Sequence, residues 1–238
     1  MKTKNLQTTL AWLIAFSIAM AFMESAVVVY LRELLYPNGF AFPLVEMDSG
    51  LLLTEFLREA ATVIMLVAIG KFLGNNFTVS FAWFIIAFGI WDIFYYVFLY
   101  LLISWPASLL EWDILFLIPI PWYGPVIAPI IISLLMITLG GIILYFKEKG
   151  ESIKIKWLEA FVMLAGCVVV LYSFTEEYIH FTAIYPESQG TIEKAIHKSR
   201  LFIPEKFHWP FFITGSSLLL IGIVLYFKRI RRKNAVMF

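Results

Sequence analysis

Hydrophobic residues along the chain fall into six long runs, which short polar or turn-forming segments separate. A helix needs about 20 apolar residues to cross the hydrocarbon core of a bilayer. The runs lie near residues 9–33, 51–73, 79–103, 126–146, 157–180 and 209–228. The pattern predicts an all-α fold, a polytopic membrane helical bundle of about six transmembrane helices. It also predicts a single integral membrane domain over residues 1–238.

The segment 104–125 is hydrophobic, but its composition argues against continuous helix. It contains four prolines and three tryptophans. Proline lacks a backbone N–H and excludes the residue before it from the helical region. Non-helical backbone at membrane depth must be sheltered by protein or water. We therefore predict a Pro/Trp-rich hairpin, partly re-entrant or interfacial, between the third and fourth helices.

Two other connections carry local signals. Asp48 and Ser49 precede the second run, and side-chain oxygens at this position accept hydrogen bonds from the free N–H groups of a helix start. The polar segment 182–208 places apolar residues at helical spacing opposite charged ones. That pattern is typical of a short amphipathic helix on the membrane surface, here on the outer side.

Composition and charge narrow the class of protein. Hydrophobic residues make up 61% of the chain, charged residues make up 15%, and the mean hydropathy is +0.87. These values are typical of a multi-pass membrane protein, and a net charge of +1 gives no overall field for nucleic acid. With both termini cytoplasmic, 12 Lys and Arg residues lie on the inner side and six on the other. The positive-inside rule therefore predicts this orientation in the cell membrane.

Charged residues inside the apolar runs are the candidate functional residues. On the predicted topology they cluster in the outer half of the bundle, and the hairpin adds Glu111 and Asp113. Placing a charged side chain inside the bilayer costs a few kcal/mol of free energy. Such clustering therefore indicates a functional site. We predict a substrate-binding or ion-binding site formed by Glu24, Arg32, Glu55, Arg58, Glu59, Asp92 and Asp113.

On the second helix, Glu55, Arg58, Glu59 and Thr62 follow the i, i+3, i+4, i+7 spacing and share one face. The acids of the predicted site outnumber its arginines, so the site requires a bound cation, protonated carboxyls or a cationic substrate group. The alternative interpretation is a set of interhelical ion pairs that determine packing. If the cation is divalent, its candidate ligands are Glu55, Glu59 and Asp92. The Glu-Glu-x-x-His spacing that ends at His180 is a further candidate.

The sequence lacks the motifs of several common classes of enzyme and cofactor-binding protein. There is no Walker-type nucleotide motif, GxSxG or HExxH in the sequence. All three histidines fall at or beyond the predicted outer surface, which argues against bis-histidine haem, and one cysteine allows no intramolecular disulfide. The cofactor is therefore unknown, with a divalent cation as the candidate.

Four sequence strings resemble an uncharacterised family of prokaryotic multi-pass integral membrane proteins. They are FMESAVVVYLRELLYP (22–37), LREAATVIML (57–66), WDIFYYVFL (91–99) and WDILFLIPIPWYGPVIAP (112–129). The resemblance covers roughly the first 130 residues. It implies a fold but no activity, ligand or residue role.

The sequence is compatible with three alternative functions. The leading hypothesis is an acidic intramembrane site that opens outward and binds or conducts a cation or proton, coupled or not to a solute. The second is an intramembrane enzyme that modifies a lipid or isoprenoid with carboxylates, with or without a metal. The third is an accessory subunit of a membrane complex. The expected partners are membrane lipids, with other membrane subunits or further copies of the chain as candidates, and no nucleic acid.

Overall fold

The computed structural model describes residues 5–45, 47–184 and 202–235. These residues form six helices and two short strands. The helices are α1 (Leu6–Leu35), α2 (Ser49–Leu73), α3 (Phe77–Ile103), α4 (Ile127–Glu148), α5 (Trp157–Ile184) and α6 (Trp209–Ala235). Each helix covers one of the six apolar runs. Most of the predicted amphipathic helix in 182–208 lies outside the described residues.

Five of these helices are long and apolar enough to cross a membrane, namely α1, α3, α4, α5 and α6. The outward faces of the helices are apolar as well. Leu34, Leu101 and Val168 have exposed fractions of 77%, 68% and 65%, as expected for side chains that contact lipid. The helix α2 has 25 residues, but it carries Glu55, Arg58, Glu59 and Lys71 and is not one of the five.

The helix α3 lies at the centre of one half of the molecule, because α1, α2 and α4 all pack extensively along it. Small and apolar residues are buried around its circumference, among them Ala82, Ile86 and Leu99. By contrast, α1 and α2 contact each other only sparsely. A gap between these two helices is therefore closed by side chains rather than by helix packing.

The helices α5 and α6 form a second, tightly packed pair. Gly166 and Gly215 face each other at the crossing: a Cβ added at Gly166 would lie 2.8 Å from the Gly215 carbonyl oxygen. Small residues allow such close approach of helix backbones within a membrane. At one end of this pair, Arg229 Nη2 donates to Glu159 Oε2 at 2.8 Å and to the Lys154 carbonyl at 2.8 Å. This ion pair holds the α4–α5 connection on α6.

The hairpin between α3 and α4 contains strands, which the all-α prediction did not include. The strands β1 (Trp112–Phe116) and β2 (Trp122–Pro125) pair antiparallel, with Asp113 opposite Gly124 and an irregularity between Ile114 and Phe116. The hairpin is hydrophobic, so its backbone groups need partners within the protein. Cross-strand pairing supplies them where the prolines prevent helix. The predicted cap at Asp48 is confirmed, since its carboxylate accepts from Gly50 N at 2.8 Å and Leu51 N at 3.0 Å.

Three connecting segments meet at the end of the bundle that carries the hairpin. Tyr123 of β2 lies between Phe42, from the α1–α2 connection, and Phe202, which precedes α6. The ring centroids are 6.0 Å and 4.7 Å from that of Tyr123. These aromatic contacts hold β2 against the α1–α2 connection and the segment before α6.

We expect Gly166→Ala to destabilise the α5–α6 pair, because the added Cβ would meet backbone atoms of α6 that cannot move alone. Overpacking of this kind costs about 1–3 kcal/mol. The matched control is Gly141→Ala in α4, where an added Cβ has no atom within 4 Å. Thermal midpoints in detergent should fall for Gly166→Ala and stay level or rise for Gly141→Ala. Equal midpoints would contradict close packing at this crossing.

Candidate functional site

A cavity of about 140 Å³ lies between α1, α2, α3 and the hairpin. Charged side chains from all four elements reach its walls. The structure brings the seven predicted site residues together there: Glu24, Arg32, Glu55, Arg58, Glu59, Asp92 and Asp113. They come from positions up to 89 residues apart, and α3 supports the cavity from behind because both α1 and α2 pack on it.

Arg58 connects the two helices that flank α3. Its Nε and Nη2 donate to Glu55 Oε2 at 3.0 and 2.7 Å on the same face of α2, and its Nη1 donates to Glu24 of α1. Thr62, one turn further along α2, donates its hydroxyl to the other Glu24 oxygen at 3.2 Å. The guanidinium thus neutralises one of two carboxylates and bridges the gap between α1 and α2.

Arg32 connects the end of α1 to the hairpin. Its Nη2 lies 3.2 Å from Asp113 Oδ1, and both side chains are buried. The guanidinium also lies over the rings of Phe40 and Trp105, at 4.4 and 3.8 Å from their centroids, a favourable arrangement for a desolvated cation. Burial raises the pKa of Asp113 to about 6, and the nearby positive charge of Arg32 opposes that rise. The contact with Arg32 thus favours the ionised form of Asp113, against the effect of burial.

Glu59 and Asp92 differ from the other acids of the cavity, because their hydrogen bonds come from neutral donors. Leu117 N, in the turn of the hairpin, donates to Glu59 Oε2 at 2.9 Å. Ser133 of α4 donates its hydroxyl to Asp92 Oδ2 at 2.8 Å. Among the residues that the structure describes, neither carboxylate forms an ion pair. In the described part of the chain, the charge of either group, when it is ionised, is not neutralised by an ion pair.

The predicted metal ligands are not grouped as a metal site. Glu55 is engaged by Arg58, and Glu59 and Asp92 have separate partners on the hairpin and α4. Across the described residues 5–45, 47–184 and 202–235, no three His, Cys, Asp or Glu side chains come together in a group that could hold a metal ion. The cavity therefore favours ligands that do not require such a cluster.

The Glu-Glu-x-x-His spacing at the end of α5 serves another role. His180 is exposed and away from the cavity. Glu176 Oε2 lies 2.9 Å from His208 Nε2, and Glu177 accepts from the backbone N–H groups of Glu205 and Lys206 at 3.0 and 3.1 Å. These contacts hold the segment before α6 on α5. His180 therefore does not line the cavity, and Glu176 and Glu177, the residues predicted to act with it, contact the segment before α6.

The sequence placed Thr62 on the charged face of α2 but did not identify the other neutral partners of the site. Ser133, Thr62 and Leu117 N each donate to a cavity carboxylate, and Phe40 and Trp105 cover Arg32. Hydroxyl residues within apolar helices are a usable signal for Thr62 and Ser133. No sequence signal exists for Leu117, since the donor is a backbone N–H placed by the hairpin turn.

The protein belongs to the class of membrane-type helical bundles. Its apolar helices are long enough to span a membrane, and they surround a charged cavity. Comparison with known proteins finds no matching family model, no matching curated protein and no matching solved structure. The cavity is therefore the feature of this protein from which a function can be inferred.

Arg58→Gln should destabilise the bundle, because it leaves Glu24 and Glu55 buried without their cation. Removing one partner of a buried ion pair costs about 3–5 kcal/mol. Lys71→Gln on the same helix is the control, since Lys71 is exposed and its loss should change stability by less than about 0.5 kcal/mol. Unfolding in detergent titrations measures both. Adding Glu24→Gln and Glu55→Gln to Arg58→Gln should recover stability, and equal stability of the two single variants would refute the bridge.

Proposed function

We propose that the protein binds a cation or a proton in this cavity and conducts it towards the membrane interior. The observation that carries the proposal is the charge balance of this one cavity. Its walls hold five carboxylates and two guanidiniums. If all are ionised, three negative charges stay uncompensated, which is costly at low dielectric unless a positive ligand or protons are present.

The residues divide into two roles on this proposal. Arg58 and Arg32 hold Glu24, Glu55 and Asp113 in ion pairs, so these five groups maintain the shape of the cavity. Glu59 and Asp92 keep their charge available, since a backbone N–H and a serine hydroxyl are their donors. We assign ligand binding to Glu59 and Asp92. The release of a ligand or proton from them requires only neutral groups to rearrange.

The proposal includes a topology for the chain. We infer six spans, with α2 as the charged one, both termini in the cytoplasm of a cell membrane, and the hairpin partly re-entrant from the outer side. The distribution of Lys and Arg supports this orientation. The length of α2, 25 residues, is sufficient for a span. The cavity then opens outward, because it lies at the hairpin end of the bundle.

We expect Glu59→Gln and Asp92→Asn to reduce cation or proton flux at least tenfold, because each replaces an uncompensated charge with a neutral amide. Flux is measured in sealed vesicles with purified protein, a pH-sensitive dye for protons and radiolabelled sodium or potassium for monovalent cations. Glu33→Gln is the matched control: it lies beside Arg32 in sequence but is exposed and does not line the cavity. Its flux should equal that of the unsubstituted protein.

Thermal midpoints of the same variants separate function from folding. Both cavity variants should fold, since Gln and Asn retain an oxygen that can accept the existing hydrogen bonds. Undiminished flux in the Glu59→Gln variant, or loss of flux that only accompanies unfolding, would refute the assignment.

Single cysteines test the topology in a Cys167→Ala background, which removes the one native cysteine. Asn38→Cys and Ser108→Cys should react with an impermeant thiol reagent from outside, whereas Asn75→Cys and Lys149→Cys should react only after the inner face is exposed. All four positions are exposed on the protein surface. Reaction of positions 38 and 75 from the same side would show that α2 does not span.

A further inference from the structure

Most of the cavity wall is hydrocarbon. Of the 21 residues that line it, seven are charged and the other fourteen are aliphatic or aromatic. A desolvated divalent cation needs about six or more oxygen ligands that converge on one point, and the described residues provide no group of three acidic, histidine or cysteine side chains. Organic ammonium ions are instead bound by aromatic faces. The composition of the walls therefore favours an organic cation over an inorganic one.

The helix α3 brings rings and an acid to one region of the wall. Two adjacent residues on each of two successive turns line the cavity: Trp91, Asp92, Tyr95 and Tyr96. The ring centroids of Tyr95 and Tyr96 are 4.9 Å apart, and the ring planes are at 72° to each other. Tyr95 and Asp92 are only half-buried, so they keep accessible surface. Aromatic rings beside a carboxylate can bind an ammonium group through both cation–π and Coulomb attraction.

One ring of the cavity already contacts a cation. The Arg32 guanidinium lies 4.4 Å from the centroid of Phe40, which lines the cavity. Tyr36, Tyr95 and Phe116 also line the cavity and are half-buried. In the described part of the chain, no Lys or Arg lies over these three rings. They are therefore not occupied by a cation of the protein.

The two carboxylates without an ion pair each have one oxygen that accepts no hydrogen bond among the described residues. Leu117 N donates to Glu59 Oε2, and the Ser133 hydroxyl donates to Asp92 Oδ2. The other oxygens, Glu59 Oε1 and Asp92 Oδ1, are not among the enclosed polar atoms that lack a partner. Both oxygens therefore keep accessible surface at which a positive ligand can bind.

The wall that α1 contributes is apolar beyond Glu24. Val28, Leu31 and Leu35 follow Glu24 at helical spacing on one face of α1, and all line the cavity. A hydrocarbon group on the ligand would bury apolar surface against them, whereas a bare ion would not. One water takes about 10–15 Å³, and the cavity has about 140 Å³. The space is therefore sufficient for a molecule of several heavy atoms.

We infer that the ligand of the cavity is an organic ammonium ion with an apolar substituent. The ammonium group contacts the carboxylates of Glu59 and Asp92 and the ring of Tyr95, and the substituent packs on the aliphatic wall of α1. Its positive charge compensates part of the acid excess, which a neutral molecule of the same shape does not. This inference rests on the proposed function and names its substrate class.

Two pairs of water-soluble probes test the charge and the substituent separately. Choline and 3,3-dimethylbutan-1-ol have nearly the same shape, but only choline carries a positive charge. Benzyltrimethylammonium and tetramethylammonium carry the same charge, but only the first has a large apolar substituent. Thermal midpoints of the detergent-purified protein measure binding, because a ligand that binds only the native state raises the midpoint.

We expect choline to raise the midpoint at concentrations where 3,3-dimethylbutan-1-ol has no effect. Benzyltrimethylammonium should act at concentrations about tenfold below tetramethylammonium, the effect of burying part of a benzyl group. Equal potency of choline and the neutral alcohol would overturn the inference, because the acids would then contribute nothing. Equal potency of the two ammonium ions would overturn it as well, because the apolar wall would contribute nothing.

Substitutions of Tyr95 test the aromatic contact. Tyr95→Leu removes the ring and should raise the half-effective concentration of benzyltrimethylammonium about fivefold, the effect of one cation–π contact. Tyr95→Phe keeps the ring and should leave this concentration nearly unchanged. Tyr100→Leu on the same helix is the control, since Tyr100 is 57% exposed and does not line the cavity. Equal responses of Tyr95→Leu and Tyr95→Phe would contradict the contact with the ring.

Asp92→Asn tests the contact with the acid and gives an independent result if Tyr95→Leu does not fold. It should raise the half-effective concentration of benzyltrimethylammonium at least about tenfold, because one partner of a desolvated charge pair is removed. Glu33→Gln is the control, since Glu33 is exposed and does not line the cavity. An unchanged response in Asp92→Asn would overturn the inference.

Failure of the inference is distinguishable from failure of the proposed function. If sodium or potassium ions raise the midpoint and lose this effect in Asp92→Asn, while the organic probes do nothing, the ligand is an inorganic cation and only the organic ammonium is wrong. Proton flux that depends on Glu59, again without any effect of the organic probes, identifies a proton in the same way. If no cation raises the midpoint and the vesicles show no flux, the proposed function itself is wrong.

Discussion

A guanidinium buried in an apolar bundle must have acidic partners, and this requirement determines how α1 and α2 are placed around α3. Apolar faces do not attract one another strongly when lipid is the alternative. The two helices contact each other sparsely, and Arg58 joins them through Glu24 and Glu55. The bridge also sets their relative height, since Glu24 bonds to Arg58 and Thr62 and must lie level with the third and fourth turns of α2. The cavity lies beside this bridge, between α1, α2, α3 and the hairpin.

The hairpin closes that cavity because proline prevents its backbone from forming helix. Antiparallel pairing provides hydrogen-bond partners for the backbone of β1 and β2, and Leu117 N in the turn between them donates to Glu59. Asp113 on β1 meets Arg32 at the end of α1. One irregular segment thus supplies a wall, a counter-ion and a hydrogen-bond donor. Its aromatic contacts with Phe42 and Phe202 keep it in place.

Acids that look alike in the sequence have different environments in the fold. Glu55 and Glu59 are one helical turn apart, yet Arg58 bonds to Glu55 while a backbone N–H donates to Glu59. The interpretation of the charges as structural ion pairs therefore fits Glu24, Glu55 and Asp113. The interpretation as a ligand site applies to Glu59 and Asp92. The two interpretations drawn from the sequence, ion pairs and ligand site, thus each describe part of the same cavity.

The sequence by itself determined the helices, the non-helical segment after α3 and the charges at membrane depth, because these follow from residue hydropathy, proline and spacing along one chain. It also indicated that acids outnumber arginines among the predicted site residues, because residue types can be counted in the sequence. Only the tertiary structure decided that α3 is central, that Arg58 takes Glu24 and Glu55, and that Ser133 and Leu117 serve Asp92 and Glu59. It likewise separated His180 from the cavity. The physical reason is that helical periodicity defines the faces of a helix but not its neighbour, and lipid-facing and helix-facing apolar residues look the same in a sequence.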